Sequence, residues 1–156
     1  MTPTPISFNT VRKAVTSKLS AHFHHHNYRI YGEEIEQGFQ EPCFFIKMFP
    51  VEQTQILGRR YARQHLFDIH YFPATDYMND EMHDMAEQLY EILEYISEPP
   101  IRGTKMKHEV HQDVLHFFVE YNFDVYKPIE EIKMQTLEGV DFDTRDNKQN
   151  GEATGE

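Results

Sequence analysis

Phe8, Val11, Val15, Leu19 and Phe23 recur three or four residues apart, which puts them on one face of an α-helix. Ser7 stands where a cap belongs, and Ile6 with Val11 can form a hydrophobic staple across the first turn. The opposite face carries Arg12, Lys13 and Lys18, and the pattern runs out in His22-Phe-His-His-His26.

After residue 27 the spacing becomes that of strands. Tyr28 to Ile35 reads as a short strand, and Gly38 with Pro42 marks the loop after it. In Cys43 to Val51, Phe44, Ile46 and Met48 fall on one face, with Cys43, Phe45 and Phe49 on the other. A strand apolar on both faces belongs inside a sheet or beneath another subunit. From Gln64 to Phe72, Phe67, Ile69 and Tyr71 alternate with Asp68 and His70, so one face is buried and one polar.

Met82, Met85, Ala86, Leu89, Leu93 and Ile96 make one apolar stripe, which predicts a second helix within Asp76 to Ile96. Asn79 is its expected cap, Asp80 and Glu81 suit the positive end of the dipole, and Ser97-Glu-Pro-Pro100 stops it. Arg102 to Val110 and Val114 to Tyr126 then read as a hairpin around His111-Gln-Asp113. Its last strand has the clearest period-two pattern in the chain. The order helix, three strands, helix, two strands predicts an α+β fold: a single domain, a mainly antiparallel sheet with two helices packed on one face.

The length of 156 residues suits one core. We place the domain at residues 1–130 and read 131–156 as an acidic, disordered C-terminal tail. From Glu138 onward there are few apolar groups, with six acidic residues against two basic. The net charge of -11 gives no broad attraction for phosphate backbones or anionic lipid. No direct nucleic-acid recognition and no membrane partner are expected. The lone Cys43 excludes an internal disulfide and a CxxC metal site. Residues 1–6 lack the basic start and apolar run of a signal peptide, so folding in a reducing cytoplasm is expected.

Candidate chemistry is sparse. Neighbouring imidazoles in the His22–His26 run fan out around a helix end rather than converge, and we read the run as dipole-complementing rather than metal-binding. Asp68 and His70 share a strand face, while His108, Glu109, His111, Asp113 and His116 surround the final hairpin. Strands that brought such a set together would make an acid–base or metal constellation. No nucleophile motif, HExxH or phosphate loop accompanies it. The expectation is no catalytic residue, no cofactor and no metal. Arg59, Arg60 and Arg63, with Tyr61 among them, concentrate positive charge on an expected loop in an acidic chain. Arg with Tyr is the pairing enriched at interfaces. Glu33, Glu34 and Glu36 are natural complements on a neighbouring copy.

One succession is more specific than any motif within it. Tyr31-Gly-Glu-Glu-Ile with Gln37-Gly-Phe is followed by Glu41-Pro-Cys-Phe-Phe, Arg59-Arg-Tyr, Phe67-Asp-Ile-His-Tyr-Phe-Pro73 and Met85-Ala-Glu-Gln-Leu-Tyr. Arg102-Gly-Thr-Lys-Met106 and Val114-Leu-His-Phe-Phe-Val-Glu-Tyr121 complete it. In order and spacing it resembles the tail terminator family, small tail-completion proteins of Bacillus-type phages and prophages. That resemblance implies a structural protein without chemistry or cofactor. Such a protein forms a ring, commonly of six copies, that caps the head-proximal end of the tail tube and offers a head-joining surface. It further implies tail tube protein and head–tail connector proteins as partners, a place in the virion tail, and assembly in the host cytoplasm. The alternatives are another connector or neck protein, and a small metal-dependent hydrolase using the hairpin histidines.

Overall fold

The computed structural model describes residues 6–24, 28–32, 37–76 and 78–129. Helix α1 runs from Phe8 to Phe23. Ser7 caps it: its hydroxyl accepts from the Thr10 backbone N–H at 3.1 Å, and Thr10 Oγ1 accepts from the Ser7 N–H in return. Val11, Ala14, Val15, Leu19 and Phe23 are buried on the face that the spacing predicts, whereas Phe8, expected there too, is 39% exposed. His24 Nδ1 lies 2.9 Å from the Ala21 carbonyl, as suits a helix end, whereas His25 and His26 lie outside the described residues.

Strands follow as β1 (Arg29–Tyr31), β2 (Cys43–Met48), β3 (Glu52–Leu57) and β4 (Arg60–Phe72). Helix α2 (Met78–Ile92), β5 (Tyr95–Ile96), β6 (Ile101–His111) and β7 (Val114–Tyr126) complete the order. The seven-stranded sheet runs β1-β2-β4-β7-β6-β5, with β3 also paired to β4. Among the described residues only β1 and β2 pair in parallel. Both helices lie on one face. Val11, Val15 and Leu19 of α1 join Met82, Met85 and Leu89 of α2 over Phe44, Ile46, Phe67, Ile69, Tyr71, Leu115, Phe117 and Tyr121 in one core cluster. The α+β single-domain expectation therefore holds.

Several boundaries differ from the sequence reading. The strand expected over Cys43–Val51 stops at Met48, since Pro50 has no N–H to give a ladder. Its course resumes as β3, so that β2 and β3 lie end to end along β4, joined by Phe49 N–H to Leu66 O at 2.9 Å. The expected loop at 52–63 is thus a hairpin, turned at Gly58 with φ 54°. The strand expected from Gln64 begins at Arg60. In the second helix Asn79 is internal rather than the cap, and the helix ends at Ile92. Leu93 and Ile96 are buried from the turn and β5 instead.

Glu81 ties the start of α2 to the sheet by accepting from Tyr71 Oη at 2.6 Å, from the Ala74 N–H at 3.2 Å and from Thr75 Oγ1. Burial acts to raise its carboxyl, but the hydrogen bonds from Thr75, Tyr71 and the backbone outweigh burial and hold it below the usual range.

The second face of β2 is covered from within the chain. Tyr31 stacks on Phe45 at 5.0 Å, and Phe39 meets Phe45 and Phe72 edge-on or tilted at 5.5 and 4.9 Å. Cys43 beside them is fully buried, and burial, with Glu41 nearby, pushes its thiol up to about 11. It behaves as a small apolar core group. No helix among the described residues is long and apolar enough to cross a membrane.

Candidate assembly arm and a histidine–aspartate cluster

The β3–β4 hairpin extends beyond the part of the sheet that the helices cover. All six residues of β3 are exposed, Ile56 by 50% and Leu57 by 79%. Tyr126, which pairs with Arg60 at the end of β7, is 66% exposed. Among the described residues the arm pairs with β4 alone, on one side. Sequence reasoning missed it because Glu-Gln-Thr-Gln-Ile-Leu has no period-two alternation; the signal available was Gly58-Arg59, a two-residue turn between two runs of strand length.

The arginines expected as one patch are divided by the strand's pleat. Arg59 sits in the turn, its guanidinium donating to the Lys127 carbonyl at 2.8 Å. Arg60 lies on the outer face and donates through Nε to Asp124 Oδ2 at 2.7 Å, with a second, shorter bond from its terminal nitrogen. Arg63 points to the helix face. It donates to Gln53 Oε1 at 2.8 Å and to the Ile6 carbonyl at 3.2 Å, and lies 4.5 Å over the Phe8 ring. Tyr61 is covered by the Lys127 ammonium at 4.4 Å. Each group therefore has an intramolecular partner, and Arg63 anchors the start of α1. Glu33, Glu34 and Glu36 lie outside the described residues.

Of the His and carboxylate set around the last hairpin, the fold gathers three members. Asp68 Oδ2 lies 2.7 Å from His70 Nε2 and 3.1 Å from His116 Nδ1, on the sheet face away from the helices. His108 is elsewhere, 2.9 Å from Tyr90 Oη and 3.3 Å from His83. Asp113 is in the hairpin turn, where φ is 50° at Gln112 and 60° at Asp113, and Glu109 and His111 are exposed. A cleft between α1 and β1 is lined by Arg12, Lys13, Thr16 and Tyr31 among others, with no carboxylate or imidazole among the described residues of its lining.

His65 is the one buried imidazole among the described residues, stacked on Phe123 at 4.8 Å and tilted against Phe8 at 5.7 Å. Its Nδ1 is 2.9 Å from the Tyr121 carbonyl, and its Nε2 has no hydrogen-bond partner among the described residues. Burial holds the ring below the usual imidazole range, against the Tyr121 hydrogen bond and with help from the nearby Arg63 charge. Neutral His65 donates Nδ1–H to Tyr121, a packing role that alternation alone could not distinguish from a polar one.

No protein with a curated description matches the sequence. One solved structure aligns over 80% of this chain and 99% of its own, at 12% identity and a TM-score of 0.42, a likeness too slight to add to the reading. A profile of the family described as phage tail terminator protein matches residues 10–133. That span takes in β1 through β7, α2 and all but the first two residues of α1. The chain belongs to the phage tail terminator family, a family of structural components of the phage tail.

Proposed function

We propose that this chain ends tail-tube growth as a ring of identical copies, six by the family resemblance, seated at the head-proximal end of the tube and presenting a surface for head joining. The observation that carries this reading is the β3–β4 arm. Six consecutive exposed residues on a strand with one edge unpaired among the described residues, ending in Ile56 and Leu57, are a liability in an isolated monomer and an asset in an assembly. The opposite side of the sheet also has an edge. Strand β5 covers β6 only at Ile101 and Arg102. Unlike edges on one subunit favour a heterologous contact, which closes into a ring when the rotation permits.

Arg59 and Arg60 remain interface candidates within the arm, since they are exposed and their partners Lys127 and Asp124 lie at the same end of the sheet. Exposed ion pairs contribute little, so the charges set register while Ile56 and Leu57 supply buried area. Glu33, Glu34 and Glu36 are proposed as acidic complements. Tail tube protein on one side and connector proteins on the other are the proposed partners, met in the host cytoplasm during assembly.

The test is the solution mass of the chain alone and with tail tube protein, for wild type and for the double variant Ile56→Glu, Leu57→Glu. Wild type is expected to form a ring alone or on the tube, and the variant to remain monomeric with an unchanged unfolding midpoint. A variant that assembles and completes tails as wild type does would remove the arm from the interface. Binding to connector proteins without binding to the tube would instead assign the chain to the neck.

A further inference from the structure

We propose that Asp68, His70 and His116 form a binding site for one divalent transition metal ion of the zinc class, clipping β4 to β7 on the sheet face away from the helices. His70 and His116 are direct partners across the antiparallel ladder, and Asp68 lies two residues from His70 on the same face. Each offers one ligand atom, and the three atoms lie within 4.8 Å of one another. Around a tetrahedral ion with bonds of about 2.0–2.1 Å, ligand atoms stand roughly 3.3 Å apart. The present separations from Asp68 Oδ2 are 2.7 and 3.1 Å. A spread of about half an ångström brings these two separations to the tetrahedral value, and the two imidazole nitrogens lie within 4.8 Å of each other. The imidazoles have room to turn, because their side chains are 21% and 20% exposed.

The carboxylate is what sets this cluster apart from an ordinary polar face. Asp68 is 5% exposed, and while Oδ2 serves both imidazoles, Oδ1 is buried with no hydrogen-bond partner among the described residues. Lys47, its cross-strand neighbour on β2, holds its ammonium 5.5 Å from the centroid of the Phe49 ring. Phe118 is the neighbour on β7. Among the described residues no lysine or arginine pairs with Asp68. A metal ion would take the place of the two N–H donors and neutralise the buried charge through Oδ2.

Two imidazole nitrogens with one carboxylate suit zinc, cobalt or nickel, whereas calcium and magnesium call for oxygen donors. A fourth position faces outward. Glu109, the cross-strand partner of His116 on β6, is exposed on the same face and is the side chain placed to share that position with water.

The experiment uses the full chain carrying His24→Ala, His25→Ala and His26→Ala, so that the histidine run cannot capture metal. Titration with Co²⁺ followed by visible absorption, and with Zn²⁺ by calorimetry, is expected to give one ion per chain and a raised unfolding midpoint. His70→Gln and His116→Gln, each introduced into that background, are expected to weaken binding at least about tenfold, the loss that removing even a supporting partner of a ligand brings. Independently of any change at the site, bound Co²⁺ is expected to broaden the ring resonances of His70 and His116 ahead of those of His83 and His108. Absence of stoichiometric binding, indifference of affinity to both glutamine variants, or broadening centred on His83 and His108 would each overturn the site.

Discussion

At the scale of single residues, burial decides what a polar side chain contributes. His65 sits between Phe8 and Phe123 with an unpartnered Nε2, so protonation would place a charge where no acceptor waits. Its folded-state pKa is lowered, from a usual value near 6.5. Between that value and its folded pKa the unfolded chain binds the extra proton, so its contribution is complete above about pH 6.5 and is lost as pH falls. Glu81 acts in a lower window. Its carboxyl is held down in the folded state, so that contribution is complete above about 4.3, the unfolded value, and fades as pH falls through the folded one. Urea unfolding at pH 7.5 and 5.5 is expected to show wild type losing more stability than His65→Gln over the same interval. Equal losses would mean that His65 is not the group responsible.

Elements are shaped here by where chain meets chain. Gly103 shows the constraint: its N–H donates to the Glu94 carbonyl at 2.7 Å, and a Cβ there would stand 2.6 Å from the Leu93 carbonyl oxygen and 2.9 Å from Val119 Cγ2. The same Leu93 carbonyl accepts from the buried Tyr121 hydroxyl at 2.7 Å. This crowded point is where α2 gives way to β5, and it explains why the helix ends at Ile92 although the apolar spacing continues to Ile96. Gly103→Ala is expected to cost about 1–3 kcal/mol, the usual range for forcing volume into a packed site, measured as a lower urea midpoint with an unchanged m-value. A variant as stable as wild type would show that β5 and β6 separate easily.

Over the described residues, the helices close one face of the sheet and leave the far end of β3, β4 and β7 without a layer above it. An assembly protein has use for such a region, because its stability comes from the covered half and its contacts from the other. The acidic segment after residue 137 lies outside the described residues. From its composition alone, truncation before Glu138 is expected to leave the thermal midpoint within about 2 °C, since few apolar groups are there to offset the entropy of ordering them. A large fall in the midpoint of the truncated chain would move the domain boundary toward the C-terminus.

Periodicity sufficed for α1, for the strands through Phe44, Phe67 and Phe117, and for the face on which both helices pack, because burying an apolar stripe admits few alternatives. It could not reveal β3, whose side chains are solvated on both faces and whose place is fixed by backbone hydrogen bonds to β4. Nor could it say which of the scattered histidines meet Asp68. Strand register decides that, and register is settled by pairing 48 residues apart in sequence, His116 against the Asp68 carboxylate. The same register divided Arg60 from Arg63, since adjacent odd and even positions of one strand face opposite layers.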